Sequence, residues 1–343
     1  MATNIDPASP PFLFVRDHLA GQGISDRDIA CAPLAGDGSD RALYRIAYPG
    51  NSVILAVNEH PPSNDRGVNE NDSFAYVCNH LRSKGFAAPA IHAFQRERGW
   101  FILEDLGDLR LRDQALMLKD EPERLEALYR RVLTLLPLLQ VKGAEGFDAA
   151  RIHSPPYDAL FVRRWESGYF LRCFVGQYCR RSAGAGRLEA ELDELAEMLA
   201  AVHGGFFLHR DFQSKNIMIT RGELRLLDFQ GARLGPLHYD PASLLLDPYV
   251  ALTDAMREKL LGCYLEQLGK LVPFEIASFL NDYWIIALHR NMQMLGAFAF
   301  LSLVKDKTSF TAYMPAAVQS LKKLLEQPIF SPYRALKKLT EEL

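Results

Sequence analysis

The sequence lacks the features that would direct the protein to a nucleic acid or a membrane. Its 39 Lys and Arg residues are outnumbered by 42 Asp and Glu residues, so it has no excess of positive charge to neutralise a phosphate backbone. It contains no run of roughly 18 apolar residues, and its first residues have neither a basic segment nor an apolar leader segment. We therefore expect a cytoplasmic protein whose partner is a small molecule. The oligomeric state is not indicated.

Cysteine is scarce and irregularly placed. The sequence has no CxxC pair and no repeated spacing among its five cysteines, which are Cys31, Cys78, Cys173, Cys179 and Cys263. An odd, scattered set argues against a disulfide framework and against a zinc site. With 343 residues, 48% of them hydrophobic, the chain is long enough to bury two cores without such cross-links.

The hydrophobic pattern changes from strands to helices along the chain. Helices are predicted at 12–19 and 71–81, and strands at 42–48, 52–58 and 100–103, because these strand segments are rich in β-branched and aromatic residues. From 109 onward the pattern is helical, at 121–139, 157–175, 191–203 and after 242. We predict an α+β, bilobal fold with a β-rich N-lobe (1–103), a hinge (104–107) and a mainly helical C-lobe (108–343).

One hairpin is predicted within the helical part. The apolar segments 216–220 and 223–228 flank Arg221-Gly222, a turn dipeptide. Antiparallel pairing of these segments would bring Asn216 and Asp228, at their outer ends, close together.

Three residues near this hairpin have the spacing that phosphoryl transfer needs. Asp211 and Asn216 are separated by four loop residues, and Asp228 follows twelve residues later with Phe229 after it. A carboxylate can accept the proton of a hydroxyl group, while an amide oxygen and a second carboxylate offer the hard ligands that Mg²⁺ prefers. This His-x-Asp-x4-Asn and Asp-Phe pattern is typical of protein-kinase-like enzymes. We interpret His209, just before it, as bracing the loop through a hydrogen bond.

The chain resembles the aminoglycoside phosphotransferase-like kinases, whose fold is related to that of protein kinases. Gln230 follows Phe229 where a protein kinase has glycine, which favours a small-molecule kinase. Within this superfamily the chain is most similar to bacterial kinases of cell-wall amino sugars. The similarity lies in residues 36–45, Pro61-Pro62, 104–107, 235–240 with Asp247, and His289-Arg-Asn-Met-Gln-Met-Leu-Gly-Ala-Phe-Ala-Phe300.

The resemblance implies ATP and Mg²⁺ as cofactors and assigns roles to individual residues. Asp211 is the expected catalytic base, and Asn216 and Asp228 are the expected Mg²⁺ ligands. Backbone groups of Glu104, Asp105 and Leu106 are expected to bind the adenine. The glycine turn with Gly38 and Ser39, followed by Arg41, is expected to bind the nucleotide phosphates.

The sequence departs from the kinase pattern on the third strand, where residues 53–58 contain no lysine to hold the phosphates. Arg41 and Arg45 are alternative donors to phosphate, or else solvated strand residues. Glu70 or Asp72 is the candidate helix partner of that cation, or else part of a polar helix start.

Several residues have a structural interpretation as well as a functional one. Asp240 precedes a proline, so we interpret it as a helix N-cap. Trp165, Glu166 and Arg290 are candidates for acceptor binding, although Trp165 is expected to pack in the core. The acidic residues 191, 193, 194 and 197 are interpreted as a solvated helix face.

The predicted function is ATP-dependent phosphorylation of a small-molecule hydroxyl, with the resemblance favouring the anomeric hydroxyl of N-acetylmuramate or N-acetylglucosamine during cell-wall recycling. The alternatives are a kinase of another small alcohol (an aminoglycoside, choline or homoserine) and a noncatalytic nucleotide-binding pseudokinase. The missing lysine supports the pseudokinase, whereas the presence of Asp211, Asn216 and Asp228 together opposes it.

Overall fold

A computed structural model describes residues 5–34, 41–182 and 186–343. The chain forms two compact units. The first unit comprises Met1–Leu109, Ala150–Ser154 and Met218–Gly231, and the second comprises Arg110–Ala149, Pro155–Ile217 and Ala232–Leu343. The N-lobe, hinge and C-lobe boundaries drawn from the sequence stay a prediction.

The first unit is built on a five-stranded antiparallel sheet with the strand order β1-β2-β3-β5-β4. Its strands are β1 (Ala30–Leu34), β2 (Ala42–Tyr48), β3 (Asn51–Val57), β4 (Ile91–Gln95) and β5 (Trp100–Glu104). The hairpin of β2 and β3 is confirmed, and Gly50 in its turn has φ 77°, a conformation that glycine adopts without strain. The edge strands β1 and β4 were not predicted.

Two helices belong to the same unit: α1 (Pro10–Ala20) and α2 (Glu70–Ser83). Both confirm the helices predicted at 12–19 and 71–81. Val15 and Leu19 of α1 pack against Ile46, Leu55 and neighbouring residues of the sheet, all nearly inaccessible to solvent. Each such side chain contributes about 1.5–3 kcal/mol through burial, so this core fixes α1 on the sheet.

The second unit is mainly helical. Its α-helices are α3 (Leu111–Met117), α4 (Pro122–Ala144), α5 (Ala159–Val162), α6 (Arg187–Ala200), α7 (Tyr239–Leu245), α8 (Asp254–Gly269), α9 (Ile276–Leu303), α10 (Met314–Leu324) and α11 (Arg334–Glu341). The 28-residue α9 contacts α6, α7 and α10, and its middle part is buried on nearly every side. A helix that is buried on nearly every side is a core helix, so α9 is the centre of this unit.

Two short antiparallel pairs complete the strands. The predicted hairpin is confirmed as β7 (Ile217–Thr220) paired with β8 (Glu223–Leu226). A second pair was not predicted: β6 (Phe206–Leu208) pairs with β9 (Arg233–Gly235). Short 3₁₀ helices lie at Asp26–Asp28, Ala149–Arg151, Ser214–Asn216, Thr308–Tyr313 and Pro328–Phe330.

The predicted helix at 157–175 is largely a π-helix. After α5 the chain continues as two π-helical segments, Arg163–Ser167 and Phe170–Tyr178. The second segment lies against α9 at Gly296, where a Cβ atom would come within 3.0 Å of the Phe170 amide nitrogen. A side chain would therefore be crowded here, which favours glycine, and π-helical turns of this kind are often found at functional sites.

The acidic face of α6 is exposed at Asp193, Glu194 and Glu197 but buried at Glu191. Glu191 is 7% exposed and accepts hydrogen bonds from the amides of Ala335 and Leu336 at the start of α11 (3.0 and 2.9 Å). Asp193 pairs with Arg163, and Glu194 accepts a hydrogen bond from Tyr333 (3.1 Å). The interpretation as a solvated face was wrong for Glu191, which binds the start of α11, and is confirmed for Asp193, Glu194 and Glu197, whose side chains are exposed. In the ranges that the structure describes, no helix combines the length and apolar character needed to cross a bilayer.

Candidate active site

The loop from His209 to Asn216 is held by a buried carboxylate on α7. The amides of His209 and Arg210 donate to the two carboxylate oxygens of Asp240 (2.8 and 2.9 Å). Arg210 has φ 75°, a strained conformation for a non-glycine residue, so the loop needs such support. The predicted bracing of this loop at His209 is made by its backbone amide, while its buried ring lies 5.5 Å from that of Phe212.

Asp240 is not an N-cap. Helix α7 begins at Tyr239 with His238 at the N-cap position, so Asp240 is the second helical residue and its carboxylate points to the loop. Burial raises the pKa of Asp240 to about 7, although the amides of His209 and Arg210 and the charge of Arg290 lower it. The N-cap prediction failed because the proline after Asp240 stands at the third helical position.

A second buried carboxylate holds the far side of the same loop. Asp247 accepts hydrogen bonds from the amides of Ser214 and Tyr249 (both 2.8 Å). Burial raises the pKa of Asp247, while these hydrogen bonds and Arg290 lower it. The sequence analysis gave Asp247 no role. Asp247 lies two residues beyond the end of α7, so no helical spacing in the sequence indicated that it would face this loop.

Asp211 lies in this loop between the amides that bind Asp240 and the amide that binds Asp247. The amides of Gln213 and of the Asn216 side chain donate to the Asp211 backbone carbonyl (2.8 and 2.9 Å), which turns the side-chain oxygen of Asn216 away from that carbonyl. Its carboxylate is 28% exposed and lies 3.8 Å from Nη1 of Arg210 and 3.6 Å from Nη2 of Arg290. Asp211 is thus an accessible carboxylate on a braced loop.

The charge of Asp211 is balanced by cations. Burial raises its pKa, but the neighbouring groups Arg210, Arg290, His209 and Arg233 together outweigh this effect and hold the pKa below the ordinary range. Asp211 is therefore ionised near neutral pH, as a proton acceptor must be.

A buried acid lies in the π-helical segment Arg163–Ser167. Glu166 is fully buried, and Tyr157 donates to its Oε2 across 3.4 Å. Burial raises the pKa of Glu166 to about 7, and Tyr239, Arg290 and Arg210 lower it.

Trp165, in contrast, is 41% exposed with Arg164 stacked on its ring, so the expected core position of Trp165 was wrong.

In the first unit, Asp228 follows β8 with φ 60°. Gln230 donates to its Oδ1 (2.7 Å), and Phe229 is buried with its ring stacked on Phe74 of α2 (5.2 Å between centroids). This packing fixes the strained backbone on which the carboxylate stands. Asn216 belongs to the second unit, so its predicted approach to Asp228 stays a prediction.

The structure distinguishes between the two candidate phosphate cations. Arg45 donates to both carboxylate oxygens of Asp105 (2.6 and 3.1 Å) and pairs with Asp108, while Ser52 also donates to Asp105 (2.7 Å). These bonds commit Arg45 to the 104–107 segment and lower the pKa of Asp105 against the effect of burial. Arg45 therefore fastens the predicted hinge, which makes it a poor phosphate ligand.

Arg41 has a different environment, at the start of β2. It pairs with Glu70 on α2 (2.9 Å) and lies over the ring of Phe74 at 5.5 Å. Asp72, the other candidate partner, forms the capping box of α2 with Asn69 and binds Arg96 (2.6 Å). Arg41, immediately before β2, thus pairs with the helix acid Glu70, one of the two candidates from the sequence.

The remaining predicted nucleotide residues are only partly described. The amide of Glu104 donates to the Ala90 carbonyl (2.8 Å), and the Leu106 carbonyl accepts a hydrogen bond from Thr220 (2.7 Å). A carbonyl oxygen has a second lone pair, so Leu106 keeps an acceptor for a base. Gly38 and Ser39 lie outside the described residues. Within the described ranges, no three or more His, Cys, Asp or Glu side chains cluster as a metal site.

Comparison with models of known protein families shows to which family the chain belongs. A model of the phosphotransferase enzyme family matches residues 30–273, which contain Asp211, Asn216 and Asp228. The chain belongs to this family. It is a small-molecule phosphotransferase, and the predicted α+β, protein-kinase-like fold with a small sheet and a larger helical part is confirmed.

Individual known proteins are similar to this chain in sequence or in fold. A Pseudomonas aeruginosa protein named N-acetylmuramate/N-acetylglucosamine kinase is 26% identical over 310 residues, covering 86% of this chain and 85% of that one. The crystal structure of a Cryptosporidium parvum choline kinase matches with a TM-score of 0.63 and 18% identity, covering 94% of this chain and 98% of that one. An ADP-bound aminoglycoside phosphotransferase matches with a TM-score of 0.56 and 14% identity, covering 92% and 98%.

The brace at Asp240 predicts a measurable loss of stability in this phosphotransferase. Asp240→Ala leaves two buried amides without an acceptor, each costing about 1–3 kcal/mol, whereas Asp240→Asn keeps one acceptor oxygen and should lose about half as much. Urea unfolding of both variants measures the difference. Asp158→Ala is the control, because exposed Asp158 caps α5 through a single amide (2.7 Å) and its loss should cost about 1 kcal/mol. If Asp240→Ala were no less stable than this control, the brace would be unimportant.

Glu166 predicts a pH dependence of stability. Between its ordinary pKa of 4.5 and the folded value of about 7, the folded protein binds a proton that the unfolded chain releases. The free energy of unfolding therefore falls as pH rises through this range, by at most about 1.4 kcal/mol per pH unit. Glu166→Gln removes this loss, so its stability relative to wild type should increase between about pH 5 and about pH 8. Glu197→Gln, at an exposed site on α6, should follow wild type at each pH. Parallel curves for Glu166→Gln and wild type would contradict the assignment.

Proposed function

We propose that the protein transfers the γ-phosphate of ATP to the anomeric hydroxyl of an amino sugar, N-acetylmuramate or N-acetylglucosamine. The observation that carries the proposal of phosphoryl transfer is the braced loop that presents an ionised Asp211 beside Asn216. The choice of acceptor rests on the P. aeruginosa relative named for these two sugars, which is similar over most of both chains.

In this reaction Asp211 is the proton acceptor. Its carboxylate orients the sugar hydroxyl and takes its proton while the hydroxyl oxygen forms a bond to the γ-phosphorus. The bond from that phosphorus to the bridging oxygen breaks, and ADP leaves with the bonding electrons. Arg210 and Arg290 keep Asp211 ionised before the transfer, so the base is ready when the acceptor binds.

Asn216 and Asp228 are the residues that would hold Mg²⁺. Both offer oxygen, the ligand type that this ion prefers, and Mg²⁺ usually takes one or two protein ligands together with phosphates and waters. Two protein ligands suffice for such a site. When bound, the ion neutralises charge on the phosphates. The hydrogen bond from its own amide to Asp211 orients Asn216 for this role.

The nucleotide would be bound by the first unit and the hinge. Arg41, fixed by Glu70, would donate to the phosphates together with the turn at Gly38 and Ser39, and so would replace the missing strand lysine. Glu104, Asp105 and Leu106 would contact the adenine through backbone groups. In this proposal the nucleotide is bound by the N-lobe (1–103) and the hinge (104–107). The catalytic loop and the acceptor site belong to the C-lobe (108–343).

Direct assay of transfer tests the proposed function. Purified protein with ATP and Mg²⁺ is screened against N-acetylmuramate, N-acetylglucosamine, choline and an aminoglycoside, and phosphorus NMR identifies the modified hydroxyl. We expect sugar 1-phosphates, and we expect Asp211→Asn to lower turnover by about 10²–10⁴-fold with ATP binding nearly intact. Transfer only to choline or the aminoglycoside would replace the acceptor, and ATP binding without transfer to any acceptor would identify a binding module.

The role of Arg41 is tested by comparing two ion pairs of α2. Arg41→Ala removes a charge-assisted hydrogen bond to phosphate and should raise KM for ATP by about 10–100-fold, with Arg41→Lys in between. Glu70→Ala should raise it less, since it only releases Arg41. Arg96→Ala is the matched control, because Arg96 pairs with Asp72 on the same helix and is not a proposed ligand. Equal KM values for the Arg41 and Arg96 variants would remove Arg41 from the phosphate site.

A further inference from the structure

Arg290 of α9 is buried more deeply than its charge would allow on its own. It is only 1% exposed, and it lies in the segment 289–300 that the nucleotide and metal roles leave unexplained. Charged side chains are almost never fully buried unless they are paired. The contacts of its guanidinium therefore indicate why it is there.

The guanidinium of Arg290 reaches Asp211 by two routes. Its Nη2 lies 3.6 Å from Oδ1 of the Asp211 carboxylate. Its Nε donates to Oγ of Ser243 (2.6 Å), and Ser243 in turn donates to the carbonyl of Arg210 (3.4 Å). That carbonyl belongs to the peptide bond that joins Arg210 to Asp211. One side chain thus contacts the carboxylate directly and, through Ser243, the peptide group that carries it.

The other contacts of Arg290 fix its orientation. Nη1 donates to the side chain of Gln293 on the same helix, and the ring of Tyr239 lies 5.6 Å from the guanidinium carbon. Among the described residues, Nη2 has no hydrogen-bond partner, so the remaining donor is the one directed at Asp211. A planar guanidinium can hold this geometry, whereas the single ammonium of a lysine cannot reach Ser243, Gln293 and Asp211 at once.

We propose that Arg290 is a positioning residue that, with Ser243, holds the Asp211 carboxylate and its peptide group in the geometry that phosphoryl transfer requires. This rests on the proposed function, in which Asp211 accepts the proton of the acceptor. A displacement of about 1 Å in such a group can cost about 10²-fold in rate, so the support behind Asp211 contributes to turnover without contacting substrate.

The kinetic test uses two conservative variants and a matched control. Arg290→Lys keeps the positive charge but loses the separate guanidinium donors to Ser243, Gln293 and Asp211. We therefore expect kcat to fall by about 10–100-fold, with KM for ATP within about twofold of the wild-type value. Ser243→Ala removes only the bridge and should lower kcat by about 3–10-fold, with little further loss when it is added to Arg290→Lys. The control is Arg257→Lys, because Arg257 of α8 is also a part-buried arginine that contacts an aspartate and a serine, Asp254 and Ser320. It should keep the wild-type kcat.

A second measurement needs no turnover. The Gln213 amide and the Asn216 side-chain amide both donate to the Asp211 carbonyl, so their ¹⁵N NMR resonances report the loop geometry. They should shift in Arg290→Lys and Ser243→Ala and stay in place in Arg257→Lys. If wild type transferred phosphate to no acceptor, the proposed function would fail, while these resonances would still test the positioning of the loop. Wild-type kcat and resonances in Arg290→Lys, or equal changes in Arg257→Lys, would overturn the role of Arg290.

Discussion

The candidate site depends on two buried carboxylates that bind backbone amides of one loop. Asp240 accepts hydrogen bonds from the amides of His209 and Arg210, and Asp247 accepts one from the amide of Ser214. Without these acceptors the amides would be buried and unpaired, which costs about 1–3 kcal/mol each. The loop can therefore keep the positive φ of Arg210, and with it the direction of Asp211, only while both carboxylates are in place.

The burial of several acidic side chains creates a second constraint, because their negative charge must be compensated. Asp240, Asp247 and Glu166 are all nearly inaccessible, and burial raises the pKa of each. Arg290 lowers the pKa of all three and of Asp211 as well. The α9 guanidinium thus compensates the acids that brace the loop and the acid that the loop presents. Because α9 is the central helix of its unit, this compensation is tied to the packing of the whole helical part.

The sequence correctly predicted the elements that have a local sequence pattern. It did not predict the features that depend on residues far away in the chain. The β2–β3 and β7–β8 hairpins, the helices α1 and α2, and the kinase motifs all have local signals, and the family match agrees with them. The strand pair β6–β9 has only three residues on each side, too few for a period-2 pattern. The π-helical segments share their apolar spacing with an ordinary helix, so no pattern distinguishes them.

Single residues show the same limit. Arg41 and Arg45 stand four positions apart with identical chemistry, and only the tertiary fold pairs one with Glu70 and the other with Asp105. Asp240 has every local mark of an N-cap, yet its partners are amides about 30 residues earlier in the chain. Glu191 was interpreted as solvated because its hydrogen-bond donors, the amides of Ala335 and Leu336 in α11, lie far along the sequence.

The most direct measurement is a crystal structure of the protein with a non-hydrolysable ATP analogue, Mg²⁺ and N-acetylglucosamine. We expect the metal about 2.1 Å from an oxygen of both Asn216 and Asp228, and the anomeric hydroxyl within about 3 Å of the Asp211 carboxylate. A metal held by other side chains, or a sugar whose anomeric hydroxyl faces away from Asp211, would contradict the assigned roles.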